Sequence, residues 1–507
     1  MKRPYSSYDH LPTTIDSVEG VRELDRLIIA RMGDNGYALM RKAGEAAFEL
    51  ITRQWPDAKH LCILSGAGNN GGDGWVVAGL ALEAGLRVTL LTLGDLVKQS
   101  PSATDARHMA ESGGVMASAF DGVLPDDADL LVDGLLGTGL NSVVQGDYAD
   151  AIAAVNAHPA PVLALDVPSG LNASSGTIQG SAVQADQTIT FIGVKPGLLT
   201  CDGPDHCGSL HYAALDLTDT ERNAVSAFAE RVSWHSLNCS GPLLPTRRGN
   251  SNKGHHGHAL LLGGDQGFGG AIAMAVDACC RSGAGLTSCV TRPVNVPVVL
   301  GRRPECMAVG VESGLEVQPL LQRATVIGCG PGLGTSSWAE LLFQQVLQSD
   351  HPAVLDADAL NIIASPGWQT EFPERDVVLT PHPGEAARLL GKTVPDIQSD
   401  RYGAAREIAS RYQAVVVLKG QGSVIASPEG RVSVCTDGNP GMGTGGMGDV
   451  LTGVVTALLA QGLSAWEAAV RGACIHSAAA DLAVAEDAGV RGLLATDLMP
   501  YIRRLVN

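Results

Sequence analysis

The chain contains 507 residues, of which 45% are hydrophobic and 17% charged, so it is long enough for two or more domains and is not disordered. Its formal net charge is −18 and it has no basic tract, which excludes nucleic acid as an expected partner. No run reaches the ~18 apolar residues of a membrane span, so no membrane association is expected.

Cysteine usage and the N-terminus predict a cytoplasmic protein. The eleven cysteines lack C-x-x-C spacing and include the adjacent pair Cys279 and Cys280, which favours neither a disulfide framework nor a zinc ribbon. Lys2 and Arg3 are followed by polar residues, so no signal peptide is visible. We therefore expect reduced thiols and a cytoplasmic location.

The first half of the chain begins with helices and continues as alternating strands and helices. Apolar residues have helical spacing over 16–54. A strand at 60–65 leads through the glycine-rich segment 66–74 into a helix at 75–82. This alternation predicts a parallel sheet covered on both faces, with its ligand site at the carboxyl ends of the strands. Further strands are predicted at 87–93, 129–132, 161–165 and 187–192.

Two kinds of loop in this half are candidate ligand contacts. The segment 66–74, GAGNNGGDG, contains the G-x-G-x-x-G pattern of dinucleotide-binding turns. Its polar residues Asn69, Asn70 and Asp73 disfavour a plain dehydrogenase. Asp133 and Asp166 each end a predicted strand, where an acid either points into the crevice or only forms a turn.

Four motifs in order, GAGNNGGDG, DGLLGTGL, LDVPSGL and TFIGVKPGL, resemble the NAD(P)H-hydrate epimerase family. The resemblance implies that a hydrated nicotinamide nucleotide binds across these loops and that Asp166 is the catalytic acid beside the reacting carbon. It implies a potassium ion held by Asn70, Asp133 and Ser169. It implies substrate contacts at Asn69, Asn70, Gly71, Gly72, Asp73, Gly137, Thr138, Gly139, Leu140 and Asp166.

A segment rich in Pro, Gly, Asn and Ser separates this half from a second α/β half. We predict domains at 1–225 and 258–507, joined by a linker at 226–257. In the second half, nearly every loop of functional composition follows an apolar strand, which predicts another doubly wound domain. Its strands are predicted at 258–262, 324–328, 353–355, 377–379 and 414–418.

The glycine-rich segment 438–453, GNPGMGTGGMGDVLTG, is the strongest candidate site of the second half. From Asp449 onward apolar residues repeat at helical spacing, so the glycine loop leads into a helix that stops near Gly462. Free N–H groups at a helix start, beside glycines, form an anion site suited to phosphate. Asp449 is then either catalytic or an N-cap that stabilises the helix by ~0.5–2 kcal/mol.

Phosphate is not held by a P-loop, because no G-x-x-x-x-G-K-[ST] pattern occurs. Lys419, in KGQGS, can supply a cation next to close backbone N–H groups, although such a lysine is commonly just exposed to solvent. His382 lies between two prolines, in a rigid loop that suits positioning of a substrate group.

Six motifs in order, KGHHGHALLLGGDQGFGGA, GCGPGLG, LDADAL, LTPHPGE, VVLKGQGS and GNPGMGTGGMGDVLTG, resemble the ADP- or ATP-dependent NAD(P)H-hydrate dehydratase family of the ribokinase-like fold. The resemblance implies that Asp449 is the catalytic acid–base. Hydrate contacts are implied at Ala271, Gly332, His382 and Asp449, and nucleotide contacts at Lys419, Gly420, Gln421, Gly422, Ser423 and Gly448. Three positions depart from the family pattern: Asp265 and Phe268 replace an expected Ser and Tyr, and Gly443 replaces Ala or Ser.

The sequence thus predicts an α/β protein with two doubly wound domains, Rossmann-like and then ribokinase-like. The resemblances imply a two-activity repair enzyme whose substrates are the hydrates of NADH and NADPH, with K⁺, Mg²⁺ and ADP or ATP as cofactors or cosubstrate. ADP and ATP stay open as donors. We also expect a homo-oligomer.

Two rival functions stay open. A vitamin or sugar kinase would use the same glycine loop and Asp449, and it would release a stable phosphorylated product. Alternatively, the first half is a non-catalytic nucleotide-binding or scaffold module, in which Asp166 and residues 69–73 are dispensable.

The charge of Asp449 is also predicted from its position. A helix N-terminus favours an ionised carboxylate by ~0.3–1 kcal/mol. We therefore expect Asp449 to be charged at pH 7 and to be only a weak base, which suffices where catalysis rests on positioning and electrostatics.

Overall fold

The computed structural model describes residues 8–239, 241, 244–368, 372, 375–487 and 489–507. The chain divides into an N-terminal unit, His10–Glu230, and a C-terminal unit that runs from Arg231 to the end and includes Tyr8 and Asp9. Within the predicted linker, residues 229–232 form a strand, and residues 240, 242 and 243 lie outside the described residues. The predicted domain boundaries stay a prediction.

The N-terminal unit is built on a seven-stranded parallel sheet of order β4-β3-β2-β5-β6-β7-β8. The order reverses between β2 and β5, as in the Rossmann arrangement, and a crevice for ligands opens at such a point. The strands are β1 Thr14–Ile15, which lies outside this sheet, β2 His60–Ser65, β3 Arg87–Thr92, β4 Ala117–Ala119, β5 Leu130–Gly134, β6 Val162–Leu165, β7 Gln187–Phe191 and β8 Ser209–Ala213.

Helices cover both faces of this sheet, because its central strands alternate apolar side chains between two cores. Ile63 of β2 packs in the core that contains Trp75, whereas its neighbours Cys62 and Leu64 pack in the core that contains Ile152. The helices are α1 Val18–Met32, α2 Tyr37–Gln54, α3 Asn69–Glu83, α4 Pro101–Ser112, α5 Asp147–Ala157, α6 Gly203–Cys207 and α7 Asp219–Ala224.

The C-terminal unit has a larger sheet in which the strands run in the order β12-β11-β10-β13-β14-β15-β16-β17-β18. Strands β10 to β16 pair in parallel and the last two are antiparallel, with the order reversing between β10 and β13. The strands are β9 Ala229–Val232, at the junction of the units, β10 His258–Leu262, β11 Leu286–Thr291, β12 Met307–Gly310, β13 Val326–Cys329, β14 Ala353–Leu355, β15 Val377–Leu379, β16 Val415–Leu418, β17 Ser423–Ala426 and β18 Val432–Cys435.

One buried helix, α17 Met447–Ala460, organises the C-terminal unit. It packs against α9 and α18, and its residues from 450 to 459 are all buried. The close approach to α9 requires Gly453, because a Cβ there would lie 2.1 Å from the carbonyl oxygen of Ala275. The other helices are α8 Trp234–Cys239, α9 Gly269–Arg281, α10 Val296–Arg302, α11 Gln318–Leu321, α12 Ser337–Leu347, α13 Ala357–Ile363, α14 Pro383–Leu390, α15 Val394–Ser399, α16 Arg401–Tyr412, α18 Ala465–Asp487 and α19 Met499–Leu505.

These two sheets confirm the prediction of two doubly wound α/β folds. All eleven cysteines are free thiols, as predicted. Within the described part of the chain, no helix is both long enough and apolar enough to cross a membrane.

Candidate active sites

The N-terminal unit has a cavity of about 540 Å³ at the carboxyl ends of its central strands. Residues that follow β2, β5, β6 and β7 line it, together with side chains of α1 and α2. Most of the predicted substrate contacts lie in this lining: Asn69, Asn70, Asp73, Gly137, Thr138, Gly139, Leu140 and Asp166.

The predicted glycine loop at 66–74 is already helical from Asn69, so the expected start of α3 near residue 75 is wrong. Packing decides this in spite of the low helix propensity of glycine. A Cβ on Gly71 would lie 1.9 Å from the carbonyl oxygen of Gly66, and one on Gly72 would lie 2.5 Å from the sulfur of Met40. Gly71 and Gly72 are not among the lining residues of the cavity, and their substrate contacts stay a prediction.

Asp166 follows β6 in a left-handed backbone conformation with φ of 60°, which is strained for a residue with a side chain. Its backbone N–H donates to the carbonyl oxygen of Ile189 at 2.8 Å. Its carboxylate is paired with Lys195, whose side chain is 1% exposed. The structure therefore holds the predicted acid in one orientation.

Two further acids, Asp25 of α1 and Asp73 of α3, line the same cavity. No hydrogen bond to either side chain occurs within the described ranges. Burial raises the pKa of Asp25 to about 6, with smaller opposing effects of Lys195 and Asp166. Burial, reinforced by Asp166 and Asp25, raises the pKa of Asp73 well above its usual range. The cavity thus combines a lysine-paired carboxylate with two buried carboxyl groups of raised pKa.

The three predicted potassium ligands cluster beside this cavity, around the backbone of Leu136. Nδ2 of Asn70 donates to the carbonyl oxygen of Leu136 at 3.0 Å, and the N–H of Leu136 donates to Oγ of Ser169 at 2.8 Å. Oγ of Ser169 donates to Oδ1 of Asp133 at 2.6 Å. The buried Oδ1 of Asn70 has no hydrogen-bond partner in the described part of the chain. Burial also raises the pKa of Asp133 to about 6. An unpartnered amide oxygen near a desolvated carboxyl group fits an oxygen-ligated cation.

The C-terminal unit has a cavity of about 550 Å³ where β14, β15 and β16 end and α17 begins. Its lining includes all of the predicted nucleotide contacts, Lys419, Gly420, Gln421, Gly422, Ser423 and Gly448, together with His382 and Asp449.

Asp449 lies in the first turn of α17 but does not cap it. The N-cap is Gly446, with φ of 94° and no side-chain cap, so the N-cap alternative for Asp449 is wrong. Burial raises the pKa of Asp449 to about 7, and Asp356 and Asp358 add to this effect against Lys419. The expectation of a fully charged, weak base is therefore also wrong, because desolvation and neighbouring acids outweigh the helix dipole.

Lys419 is tied to the acid at the end of β14. Its Nζ donates to Oδ1 of Asp356 at 2.7 Å and lies 3.8 Å from Oε2 of Glu385. Burial lowers the pKa of Lys419, but Asp356 and Glu385 outweigh this and raise it overall. Oγ1 of Thr452 donates to the other oxygen of Asp356 at 2.9 Å. Asp356 thus connects Lys419 to α17, one turn after Asp449.

His382 caps α14 and is half exposed in the cavity. Its Nδ1 accepts from the N–H of Gly384 at 2.9 Å, and the N–H of His382 donates to Glu385 at 2.8 Å. Burial and then Lys419 lower the pKa of His382, so its ring is neutral at pH 7. With Nδ1 accepting, the ring donates through Nε2, which lies 3.4 Å from Oε1 of Glu385.

Ala271 and Gly332 are not among the residues that line the C-terminal cavity. They lie together, since a Cβ on Gly332 would be 3.1 Å from Cβ of Ala271 and 2.7 Å from Cβ of Phe268. Asp265, which like Phe268 departs from the family pattern, accepts from Nε of Arg292 at 2.7 Å. The hydrate contacts of Ala271 and Gly332 stay a prediction.

Sequence reasoning missed several polar residues that the fold brings to the two cavities, and five of them bear on the chemistry. Asp25 and Lys195 line the first cavity, and Asp356, Glu385 and His476 line the second. The motifs TFIGVKPGL, LDADAL and LTPHPGE contain three of them, so their pattern could have marked these residues. Asp25 lies on the amphipathic helix α1 and His476 lies in a buried stretch of α18, and neither carries a sequence signal.

Two α/β units, each with an acid-lined cavity at the carboxyl ends of its strands, define a two-site enzyme of the α/β class. Residues 36–197 match the family of the YjeF-related protein N-terminus, and residues 259–504 match NAD(P)H-hydrate dehydratase. The latter match agrees with the ribokinase-like fold predicted for the second half.

Relatives match both halves together. The chain is 46% identical over 487 residues to the bifunctional NAD(P)H-hydrate repair enzyme Nnr of Coxiella burnetii, with 96% of this chain and 98% of that protein covered. It is 42% identical to the Escherichia coli K12 enzyme of the same name, with 98% and 95% covered. The chain therefore belongs to the family of bifunctional NAD(P)H-hydrate repair enzymes.

A solved structure also matches the C-terminal part. The ADP/ATP-dependent NAD(P)H-hydrate dehydratase from Bacillus subtilis, co-crystallized with ATP/Mg²⁺, is 32% identical, with a TM-score of 0.46, 52% of this chain covered and 93% of that chain.

Proposed function

We propose that this chain repairs hydrated NADH and NADPH in two steps. The N-terminal unit interconverts the R and S hydrates, and the C-terminal unit removes water from the S hydrate with ADP or ATP as phosphoryl donor. The observation that carries this proposal is the presence, in one chain, of two cavities that each contain one of the predicted acids, Asp166 and Asp449.

In the C-terminal cavity, Asp449 accepts the hydroxyl proton of the hydrate as its oxygen attacks the terminal phosphoryl group of the donor. The bond from that phosphorus to the donor breaks, and the donor leaves one phosphate shorter. The carbon–oxygen bond of the new phosphate ester then breaks, and phosphate leaves. A proton is lost from the neighbouring carbon as the ring double bond returns. A pKa near 7 makes Asp449 a stronger base than an ordinary aspartate.

The donor nucleotide is held by the loop after β16 and the start of α17. Gly448 lies beside Lys419, since a Cβ on Gly448 would be 3.2 Å from Nζ. A partly buried cation next to helix N–H groups suits the phosphates. The contacts are assigned to Lys419, Gly420, Gln421, Gly422, Ser423 and Gly448, and those of the hydrate to Ala271, Gly332, His382 and Asp449.

In the N-terminal cavity, Asp166 exchanges a proton with the hydroxyl group at the reacting carbon. The R and S forms differ at a carbon bonded to the ring nitrogen, and inversion there needs a proton relay and stabilised ring charge. Residues 69–73 and 137–140 are assigned to the nucleotide around that carbon.

Two cations complete the proposal. Asn70, Asp133 and Ser169 would hold K⁺, whose positive charge would fix the loops after β5 and β6. Mg²⁺ would accompany the donor phosphates, because the second cavity presents carboxylates of Asp356 and Asp449, and this ion prefers carboxylate and phosphate oxygens. A cytoplasmic location and a homo-oligomeric state stay predictions.

Paired variants test the two-site assignment. Asp449→Asn is expected to lower donor-dependent recovery of NADH absorbance from the S hydrate by ~100-fold or more and to leave epimerisation intact. Asp166→Asn is expected to do the reverse, measured as the R-to-S ratio without donor. The exposed Asp350→Asn serves as the control and should leave both activities unchanged.

Equal loss of both activities in either folded variant would contradict the assignment. A stable phosphorylated product in place of NADH would favour the kinase alternative. Dispensability of Asp166 and residues 69–73 would favour a non-catalytic N-terminal module. Adding ADP or ATP in turn, with NADH and phosphate followed together, identifies the donor.

A further inference from the structure

Lys195 is a buried cation, and its hydrogen bonds go to Oδ1 of Asp166 and to two residues that also bond this oxygen. Its side chain is 1% exposed, and Nζ donates to Oδ1 of Asp166. The other two donors go to Oγ1 of Thr190 at 3.1 Å and to the carbonyl oxygen of Phe191 at 2.9 Å. An ammonium group has three donors, so all of them are engaged within the protein and none is left for a substrate.

The two oxygens of Asp166 have different surroundings. Oδ1 accepts from Lys195, from the N–H of Phe191 at 3.2 Å and from Oγ1 of Thr190 at 3.3 Å. Oδ2 has no hydrogen-bond partner in the part of the chain that the structure describes. Asp166 lines the cavity, so its unbonded oxygen is the one that a ligand can reach. These hydrogen bonds offset the strain of the left-handed backbone conformation of Asp166.

The pair lies among other charged groups, two of which are acids that would oppose a carboxylate. Asp25 and Arg22 face it from α1, and Asp73 faces it from α3. Two carboxyl groups near a third disfavour its ionised form. Lys195 is the buried cation in direct contact with Asp166, so it supplies the charge that offsets them.

We propose that Lys195 is a positioning residue of the epimerase site, which holds Oδ1 of Asp166 so that Oδ2 is the oxygen that takes and returns the substrate proton. The hydroxyl O–H bond of the hydrate breaks and its proton forms the O–H bond at Oδ2, while the electron pair left on oxygen forms a carbonyl as the bond from that carbon to the ring nitrogen breaks. Reclosure of the carbon–nitrogen bond on the other face and return of the proton from Oδ2 give the other epimer. Lys195 itself does not touch the substrate. The proposal rests on the epimerase function proposed above.

Lys195→Met and Lys195→Ala test this role in the full-length protein. Epimerisation of purified R hydrate is followed without donor, at several substrate concentrations and pH values. We expect kcat to fall by ~100-fold or more with KM little changed, because positioned proton transfer is lost and binding is not. Methylammonium should restore part of the rate of Lys195→Ala.

Two further measurements separate this role from a structural one. Dehydration of S hydrate by the same variants should be unchanged, which shows that the C-terminal unit is intact, and denaturant unfolding of the N-terminal unit should equal that of the wild type. Lys42→Met is the matched control, since Lys42 forms a half-exposed ion pair with Asp216 in the same unit and does not line the cavity. Its epimerisation should equal that of the wild type.

The proposal is overturned if kcat of the Lys195 variants is that of the wild type, or if only KM rises. Should both variants fail to fold, Thr190→Val keeps the lysine and removes one of its acceptors. A severalfold lower kcat is then expected, and an unchanged kcat overturns the proposal. Full activity of Asp166→Asn would instead refute the proposed epimerase function itself.

Discussion

At the scale of single residues, burial decides the chemistry of both candidate sites. Asp449 follows glycines at a helix start, and that position alone predicts an ionised, weak base. The structure buries it near Asp356 and Asp358, and its pKa rises to about 7. Sequence position therefore identified the residue, while its ionisation depends on groups up to 93 positions away along the chain.

The raised pKa predicts a pH dependence of dehydration. Asp449 acts as a base only when ionised, so kcat/KM for the S hydrate should increase as pH rises through about 7. Asp358→Asn should move this limb to lower pH, because Asp358 is one of the acids that raise the pKa of Asp449. Initial rates at saturating donor between pH 5 and 9 measure both profiles.

Asp350→Asn, which changes an exposed acid outside the cavity, provides the reference profile. If kcat/KM of the Asp358→Asn variant rises at the same pH as that of the wild type, the electrostatic explanation is contradicted. A profile flat across pH 7 in the wild type would contradict the role of Asp449 as the base.

At the scale of elements, glycines set the distances between helices and loops. The sequence predicts a glycine-rich loop at 66–74, yet α3 begins at Asn69, because Gly71 and Gly72 let the helix touch Gly66 and Met40. In α17, Gly453 allows contact with the backbone of α9. Local propensity disfavours glycine in a helix, and tertiary packing overrides it.

Gly453→Ala is expected to destabilise the C-terminal unit. A Cβ there would lie 2.1 Å from the carbonyl oxygen of Ala275, so α9 and α17 must move apart. Overpacking of this kind costs ~1–3 kcal/mol. Denaturant unfolding measures the loss, and dehydration should fall as well because α17 carries Asp449.

Gly270→Ala in α9 is the matched control, since a Cβ at Gly270 meets nothing within 4 Å and its backbone is helical. It should be neutral or slightly stabilising. Equal stability of the Gly453→Ala variant and the wild type would show that the two helices can separate at no cost.

At the scale of the whole molecule, buried carboxyl groups make stability depend on pH. Asp437 of the C-terminal unit accepts from the N–H of Trp234 at 2.5 Å. Burial raises its pKa to about 8, and Asp481 and Asp9 add to this effect. The folded state therefore retains a proton that the unfolded chain releases near pH 4.

This linkage predicts that the free energy of unfolding falls as pH rises from about 4 to 8. Asp437 binds more protons when folded than when unfolded in this window, so its stabilising contribution is complete at low pH and is lost through its folded pKa. Asp437→Asn keeps the oxygen that accepts from Trp234 and should flatten the slope. Denaturant titrations at several pH values measure it, and an unchanged slope would contradict the assignment.

The sequence by itself determined the two α/β halves, the loops that follow their strands and the positions of Asp166 and Asp449, because hydrophobic periodicity and glycine spacing are local properties. Only the tertiary structure decided that Asp25 joins residues 69–73, that Lys195 binds one oxygen of Asp166, and that Asp356 joins Lys419 to α17. These contacts connect residues far apart in the chain. Burial and long-range charge, which set orientation and pKa, arise only when distant segments pack together.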